Sequence, residues 1–184
     1  IASCLVGSEM CIRDSMRIGF HFHTPALEKG GKIKMPGYIG RFLDGMASQE
    51  VDGIICFLHR PTKAEEQYLD YEIISPKISL INMGPRVKIY LRELFFLFYS
   101  KNFFLNKNDI DVLIIRGPSP LLPYFSFFSG NIKKVFMLVG DQIKGLDELS
   151  QPYLRKKIII LWSFWNRFLH CLLYTSPSPR DKRQ

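Results

Sequence analysis

Short, continuous apolar runs alternate along the chain with amphipathic stretches. The runs are rich in Ile, Val, Leu and Phe and do not alternate with polar residues, which is typical of strands that are buried on both faces of a parallel sheet. Five runs predict strands, and they lie at Arg17–Phe22, Gly53–Leu58, Ile78–Met83, Ile110–Ile115 and Lys134–Val139. We expect their apolar side chains to form the core, namely Ile18, Phe20, Ile54, Ile55, Leu80, Leu113, Ile114, Phe136 and Leu138.

The segments between these runs predict helices. From Tyr38 to Gln49 the apolar residues recur every three or four positions, which places them on one helical face. Thr62 and Glu65 have the spacing of a capping box for a short helix. The other predicted helices are Arg86–Tyr99, Leu121–Phe128, Leu146–Lys156 and Ile158–Phe168. This alternation predicts an α/β fold, a Rossmann-like doubly wound domain with a parallel sheet of about five strands.

We expect the two ends of the chain to differ in origin from its middle. One DNA sequence that encodes residues 171–181 has a reverse complement that encodes residues 5–14, and two unrelated protein ends should not share an inverted repeat. The DNA resembles a transposon adapter used in sequencing libraries. We therefore expect residues 1–15 and 171–184 to be foreign, and we expect residues 16–170 to form one incomplete domain.

Charge and cysteine content narrow the class of partner. The chain has 184 residues and a formal net charge of +8, which suits phosphates, nucleotide sugars or an anionic membrane surface. We expect no nucleic-acid partner. Only Cys56 of the four cysteines lies between the suspect ends, so we expect no disulfide and a reducing, cytoplasmic location.

The candidate site follows from the predicted topology. Ligands of such sheets bind at the carboxyl ends of the strands, near the point where the strand order reverses. Glycine permits close approach of the backbone to a phosphate, and Arg can bind a phosphate or carboxylate with two hydrogen bonds. We expect one cleft with His23 at its rim, lined by residues of the loops after strands one, four and five, namely Gly30, Gly31, Lys32, Arg116, Ser119 and Asp141.

Two short motifs suggest metal chemistry as an alternative. His21 and His23 form an HxH pattern, similar to the one that follows the first strand of amidohydrolases and related metal-dependent hydrolases. Asp109 and Asp111 form a DxD pattern, but this pattern precedes a strand, whereas the metal-binding DxD of sugar transferases follows one. Since each motif lacks further ligands, we expect no metal.

The predicted helix Arg86–Tyr99 combines basic and aromatic residues. Such a helix is typical either of a core helix packed on the sheet or of a helix lying on an anionic membrane. Peripheral contact with the inner face of the membrane is therefore a second expectation for this segment.

Four segments in order resemble the N-terminal domain of family-4-like GT-B glycosyltransferases: VDGIICFLHRP, ISLINMGPR, IDVLIIRGPSPLLP and KKVFMLVGD. The resemblance covers residues 16 to about 168. It implies a domain that holds the acceptor, with Gly30 and Gly31 bordering the donor diphosphate and with Arg116, Ser119 and Asp141 at the acceptor cleft. The glycine-rich helix pattern of the family is only partly kept here.

The resemblance implies a retaining transferase that moves a sugar from a nucleotide-sugar donor to a polysaccharide or glycolipid acceptor. In that family a second domain binds the donor, so we expect a missing C-terminal domain, no cofactor in this chain and no transfer by this chain alone. Two alternatives remain open from the residues, namely a non-catalytic Rossmann-like module that binds an anion and a metal-dependent hydrolase that uses the HxH motif.

Overall fold

The computed structural model describes most of the central part of the chain. It covers residues 16–87, 89–117, 119 and 121–138, together with residues 156, 157, 160, 161, 164, 165 and 168. Asp141, both suspect ends and most of the last two predicted helices lie outside the described residues.

Eight strands and four helices follow one another in this part. The strands are β1 Arg17–Pro25, β2 Leu27–Lys29, β3 Lys32–Met35, β4 Gly53–Arg60, β5 Tyr71–Glu72, β6 Ile78–Pro85, β7 Val112–Gly117 and β8 Lys133–Leu138. The helices are α1 Gly37–Ala47, α2 Ile89–Leu94, α3 Phe96–Asn106 and α4 Leu122–Phe128.

Five of the strands form one parallel sheet. Its order is β6-β4-β1-β7-β8, and every neighbouring pair is parallel. Helices cover both faces, so the predicted α/β fold with a five-stranded parallel sheet is confirmed. The strand order reverses between β1 and β7, which places the topological switch point of this Rossmann-like sheet beside the central strand.

The sheet separates two hydrophobic clusters. Residues Ile18, Phe20, Ile54 and Leu58 face α1 and pack against buried Leu43. On the other face Phe57, Leu113 and Ile115 pack against Phe103 of α3 and Phe125 of α4. Burial of these large side chains on both faces stabilises a sheet whose strands carry few polar residues.

The predicted core is partly confirmed. Ile18, Phe20, Ile54 and Leu113 are buried as expected. Four other predicted core residues are only half buried, because the described helices cover the flanks of the sheet incompletely; they are Ile55, Leu80, Ile114 and Phe136. The side chain of Leu138 lies outside the described residues.

The segment predicted as a glycine-rich loop is a β-hairpin. β2 and β3 are antiparallel, and Lys29 pairs with Lys32 across a two-residue turn. Gly30 and Gly31 form that turn with φ of 63° and 76°, the left-handed geometry that a tight hairpin turn requires. β3 also pairs with β5, which gives a second sheet of order β2-β3-β5. Buried Ile33 and Met35 join this small sheet to the α1 side of the core.

The predicted helix Arg86–Tyr99 divides into two. Phe95 has φ of −104° and ψ of 32°, which interrupts the helical backbone between α2 and α3. Half of the predicted capping box is present: the Glu65 carboxylate accepts a hydrogen bond from the backbone N–H of Thr62, but the Thr62 hydroxyl donates to the same carboxylate instead of accepting from the Glu65 N–H. The helix that follows it is only a 3₁₀ turn, Glu66–Tyr68.

One face of α3 is apolar and exposed. Leu97 and Leu105 are exposed at a spacing that places them on one side of the helix with Lys101, and Phe98 lies beside them. In the part of the chain that the structure describes, no helix is both long enough and apolar enough to cross a membrane.

Two glycines of α1 give a matched test of the packing between this helix and the small sheet. A Cβ at Gly40 would collide with the Tyr71 ring, whose hydroxyl donates a hydrogen bond to Asp44 and so cannot swing away freely. A Cβ at Gly45 would meet nothing within 4 Å.

We expect Gly40→Ala to lower the free energy of unfolding by about 1–3 kcal/mol, because the added methyl group overpacks the contact. Gly45→Ala should raise it by up to about 1 kcal/mol, because alanine favours the helix. Urea unfolding of both variants provides the measurement. Equal effects at the two positions would contradict the packing of α1 against Tyr71.

Candidate functional site

A cavity of about 230 Å³ lies at the carboxyl edge of the parallel sheet. Its wall comes from the end of β1, the start of α1 and the loops that follow β4 and β6. The lining residues are Phe22, His23, Thr24, Pro25, Pro36, Tyr38, Tyr68 and Arg86. Aromatic rings beside a few polar groups are typical of a small-molecule site.

Arg116, near the end of β7, adjoins this cavity through two of its aromatic residues. Its guanidinium carbon lies 4.9 Å from the centre of the Phe22 ring and 5.6 Å from that of Tyr38. Both distances fall within the range of cation–π attraction. The Nε of Arg116 is buried and has no hydrogen-bond partner. The two rings therefore hold the guanidinium at the switch point while part of its donor capacity is unused.

His21 links three segments on the other face of the sheet. Its Nδ1 lies 2.9 Å from the carbonyl oxygen of Phe57, and its Nε2 lies 2.8 Å from the Ser119 hydroxyl. A carbonyl oxygen can only accept, so Nδ1 carries the proton and Nε2 accepts the hydrogen bond from Ser119. Burial is the main cause that lowers the pKa of His21 to about 3. The imidazole is therefore neutral at ordinary pH.

His59, near the end of β4, pairs with a buried arginine of α2. The Nη1 of Arg92 donates to the Nε2 of His59 at 2.9 Å. Burial, and then the charge of Arg92, lowers the pKa of His59 to about 2. Burial also lowers the pKa of Arg92 to about 10, so its guanidinium remains charged at neutral pH. Within the described residues no carboxylate pairs with Arg92.

Arg86 has a carboxylate partner, unlike Arg92. Its guanidinium forms an ion pair with Glu65, the residue that also accepts hydrogen bonds from Thr62. This pair joins the loop after β6 to the loop after β4 at the border of the cavity. It also neutralises one of the positive charges there.

The structure distributes the predicted site residues over three places. His23 lines the cavity, and Arg116 adjoins it. Ser119 is buried against His21 instead.

The hairpin residues form the third group. Gly30 and Gly31 occupy the exposed hairpin turn, where the turn geometry accounts for both glycines, and neither lines the cavity. Lys32 forms an exposed ion pair with Glu72 at 2.5 Å. Asp141 lies outside the described residues.

Sequence reasoning did not select Arg92, His59 or Tyr68. His59 had a usable signal, since it lies at the end of a predicted central strand, where ligands bind. In the sequence Arg92 is one of several basic residues of a predicted helix. Its burial is not visible there, because it depends on contacts that are distant in sequence. Tyr68 reaches the cavity through a loop that has no apolar periodicity.

The two metal motifs do not form a metal site in the described part of the chain. His21 uses both ring nitrogens in hydrogen bonds within the core. The Asp111 carboxylate accepts the backbone N–H of Arg17 at 2.7 Å, at the opposite edge of the sheet from the cavity. Among the described residues no group of three or more His, Cys, Asp or Glu side chains could hold a metal ion.

No family model, no curated protein and no solved structure matches this chain. We therefore infer the function of the chain from its fold and from the geometry of the carboxyl edge.

The buried neutral histidines should make the fold sensitive to acid. Their pKa values in the folded chain lie far below the ordinary 6.5, so below that pH the unfolded chain binds protons that the folded chain does not. The contribution of the two histidines to the free energy of unfolding is complete above the pKa of the unfolded chain, and it decreases as the pH falls below that value. From pH 7 to pH 5 we expect each histidine to reduce the free energy of unfolding by about 2 kcal/mol.

Urea unfolding at the two pH values measures this effect. In the His21→Gln variant the decrease in the free energy of unfolding between pH 7 and pH 5 that is due to histidine should be about half as large, since one of the two titrating groups is removed. A variant that keeps the full decrease would show that His21 does not titrate as the burial requires.

Proposed function

We propose that this chain is the acceptor-binding half of a glycosyltransferase, which moves a sugar from a nucleotide-sugar donor to a polysaccharide or glycolipid acceptor. The observation that carries the proposal is the aromatic cavity beside Arg116 at the carboxyl edge of the parallel sheet. The resemblance of the strand-end segments to GT-B enzymes supports the same class.

The cavity suits a carbohydrate in its chemistry. Phe22, Tyr38 and Tyr68 provide ring faces and edges on which the apolar C–H face of a pyranose can pack. The imidazole of His23, the Thr24 hydroxyl and the guanidinium of Arg86 provide polar groups for its hydroxyls. A pocket of this kind orients the acceptor, and orientation is a large part of the catalysis of a two-substrate transfer.

In the proposed reaction an acceptor hydroxyl oxygen bonds to the anomeric carbon of the donor sugar. The bond from that carbon to the diphosphate breaks, the nucleoside diphosphate leaves with the electron pair, and the hydroxyl proton passes to an oxygen of the leaving diphosphate. Negative charge accumulates on the leaving diphosphate, and fixed positive groups near it lower the barrier. Arg116 is the candidate in this half for such a group, because its cation is held at the switch point with unused donors.

A non-catalytic module that binds an anion is the second candidate. It is favoured by Arg92, which is buried and charged and has no carboxylate partner among the described residues. Turnover distinguishes the two candidates, because a binding module would release no nucleoside diphosphate under any condition.

We expect the 184-residue chain alone to release no nucleoside diphosphate from nucleotide sugars, and we expect a longer chain that joins it to a donor-binding domain to do so. In that longer chain Arg116→Met should reduce transfer at least about tenfold, since it removes the cation and keeps the length of the side chain. Arg41→Met is the matched control. Arg41 is exposed, its guanidinium carbon lies 5.9 Å from the Tyr71 ring centre, and it does not line the cavity.

Turnover by the chain alone would contradict the proposal that a second half completes the site. Equal rates for Arg116→Met and Arg41→Met, with both variants folded by circular dichroism, would assign Arg116 to packing.

A further inference from the structure

The outer side of α3 carries an apolar stripe that the core does not use. Leu97, Phe98, Lys101 and Leu105 lie within about a third of the helix circumference, and we call these four residues the α3 stripe. Its three apolar side chains are 61%, 66% and 69% exposed in chain order. The opposite side of α3 is buried, and Phe103 there joins the core. The stripe therefore remains apolar and open after the helix has packed.

Exposed apolar surface continues beside the stripe. Phe95, which directly precedes α3, is exposed, and so is Phe127 of α4. The Phe127 ring centre lies 5.1 Å from that of Phe128, which in turn lies 5.3 Å from that of Phe104 in α3. Soluble proteins rarely leave several large apolar side chains exposed side by side, and such a surface is typical of a contact with a protein or a membrane.

The charge of the stripe distinguishes between these partners. Lys101 lies between the apolar residues along the stripe and is exposed, and α3 contains no acidic residue. No carboxylate pairs with Lys101 in the part of the chain that the structure describes. At a bilayer surface a lysine can keep its ammonium group among the lipid headgroups while its methylene chain lies along apolar surface. The phosphates of anionic lipids then supply the missing negative charge.

A second copy of the chain fits the stripe less well. If the stripe packed against its own copy, two Lys101 ammonium groups would enter an apolar contact to which α3 contributes no carboxylate. Burial of an unpaired charge is unfavourable. A bilayer surface avoids this cost, because the ammonium group stays in the hydrated headgroup layer.

The stripe begins at the carboxyl edge of the parallel sheet. A Cβ at Gly84, near the end of β6, would lie 3.6 Å from the Phe98 ring. Arg86, two positions later, lines the cavity. Contact of the stripe with a bilayer would therefore bring the border of the cavity close to the lipid headgroups.

We propose that the α3 stripe binds the surface of an anionic phospholipid bilayer. Leu97, Phe98 and Leu105 enter the boundary between headgroups and acyl chains, and Lys101 contacts the lipid phosphates. The eleven residues of α3 are too few to cross a bilayer, so the helix lies in the plane of its surface. This proposal does not depend on the transferase function, because vesicle binding can be measured without any transfer.

The test measures cosedimentation of the 184-residue chain with vesicles. One set of vesicles contains phosphatidylglycerol and phosphatidylcholine in equal parts, and the other contains phosphatidylcholine alone. We expect saturable binding to the anionic vesicles, at least about tenfold tighter than to the neutral ones, since the charge attraction adds to the apolar contact. No binding to the anionic vesicles, or equal binding to both sets, would overturn the proposal.

A double variant at exposed positions locates the apolar contact. Leu97→Gln with Leu105→Gln should bind at least about tenfold more weakly, because glutamine keeps the helix propensity but removes apolar surface. Ile74→Gln is the matched control and should keep the full affinity. Ile74 is 79% exposed, and its N–H donates to Asp44 of α1, on the other face of the sheet. Equal affinities for the double variant and the control, with both folded by circular dichroism, would overturn the proposal.

A charge reversal tests the electrostatic part of the contact. Lys101→Glu should weaken binding to the anionic vesicles at least about tenfold. Lys29→Glu makes the same change of charge at an exposed position of the hairpin and should weaken binding much less. If both variants weaken binding equally, the net charge of the chain is responsible and the stripe is not the binding surface.

The alternative occupants of the stripe give different results. A dimer in sedimentation velocity that the double variant dissociates, without vesicle binding, would assign the stripe to a second copy and overturn the proposal. Vesicle binding by the 184-residue chain that a longer chain with a donor-binding domain lacks would assign the stripe to a domain contact and also overturn it.

Failure of this proposal differs from failure of the proposed function. Vesicle binding through the stripe without nucleoside diphosphate release by the longer chain would keep the membrane surface and reject the transferase. Release without vesicle binding would keep the transferase and reject the membrane surface.

Discussion

The carboxyl edge of the sheet depends on one buried imidazole. His21 lies on the central strand and donates from Nδ1 to the Phe57 carbonyl of β4, while its Nε2 accepts from Ser119, beyond the end of β7. The ring therefore connects the strands on both sides of the switch point. Burial keeps the ring neutral and so fixes the direction of the second bond, with the Ser119 hydroxyl donating and Nε2 accepting.

The same edge collects positive charge and keeps its histidines uncharged. Burial lowers the pKa of both His21 and His59, and the Arg92 guanidinium lowers that of His59 further. Neutral rings then act as fixed hydrogen-bonding groups, while the arginines carry the charge. On the α1 face Arg116 is held between two aromatic rings, and on the α3 face Arg92 is held by His59. This division gives the edge one arginine, Arg116, that adjoins a cavity and one, Arg92, that is buried against a neutral histidine.

Much of the fold was predictable, because each parallel strand is a local apolar run and each run is visible by itself. The hairpin was not, since Lys32–Met35 alternates polar and apolar residues over a very short length and Gly30–Gly31 allows either a turn or a phosphate loop. The division of the long helix at Phe95 depends on packing rather than on periodicity. The half-buried state of Leu80 and Ile114 likewise reflects incomplete cover from distant elements.

For the site, the sequence could predict only the edge of the sheet at which it lies. Strand ends indicated the carboxyl edge, where His23 and Arg116 lie, but the partner of His21 is Ser119, 98 residues away, and no local pattern shows it. The Arg92–His59 pair is similar, since its members are 33 positions apart in the sequence. Contacts of this kind decide whether a histidine binds a ligand or supports the core, and only the folded chain brings them together.

The state of the His21 ring tests this account most directly. Nitrogen chemical shifts of the imidazole, measured in the histidine-labelled chain about one unit below the ordinary histidine pKa, report both charge and tautomer. The account predicts a neutral ring with its proton on Nδ1 in the folded chain. An imidazolium signal from His21 under conditions in which the chain remains folded would contradict it, since a ring that is fully buried as described would not be charged at that pH.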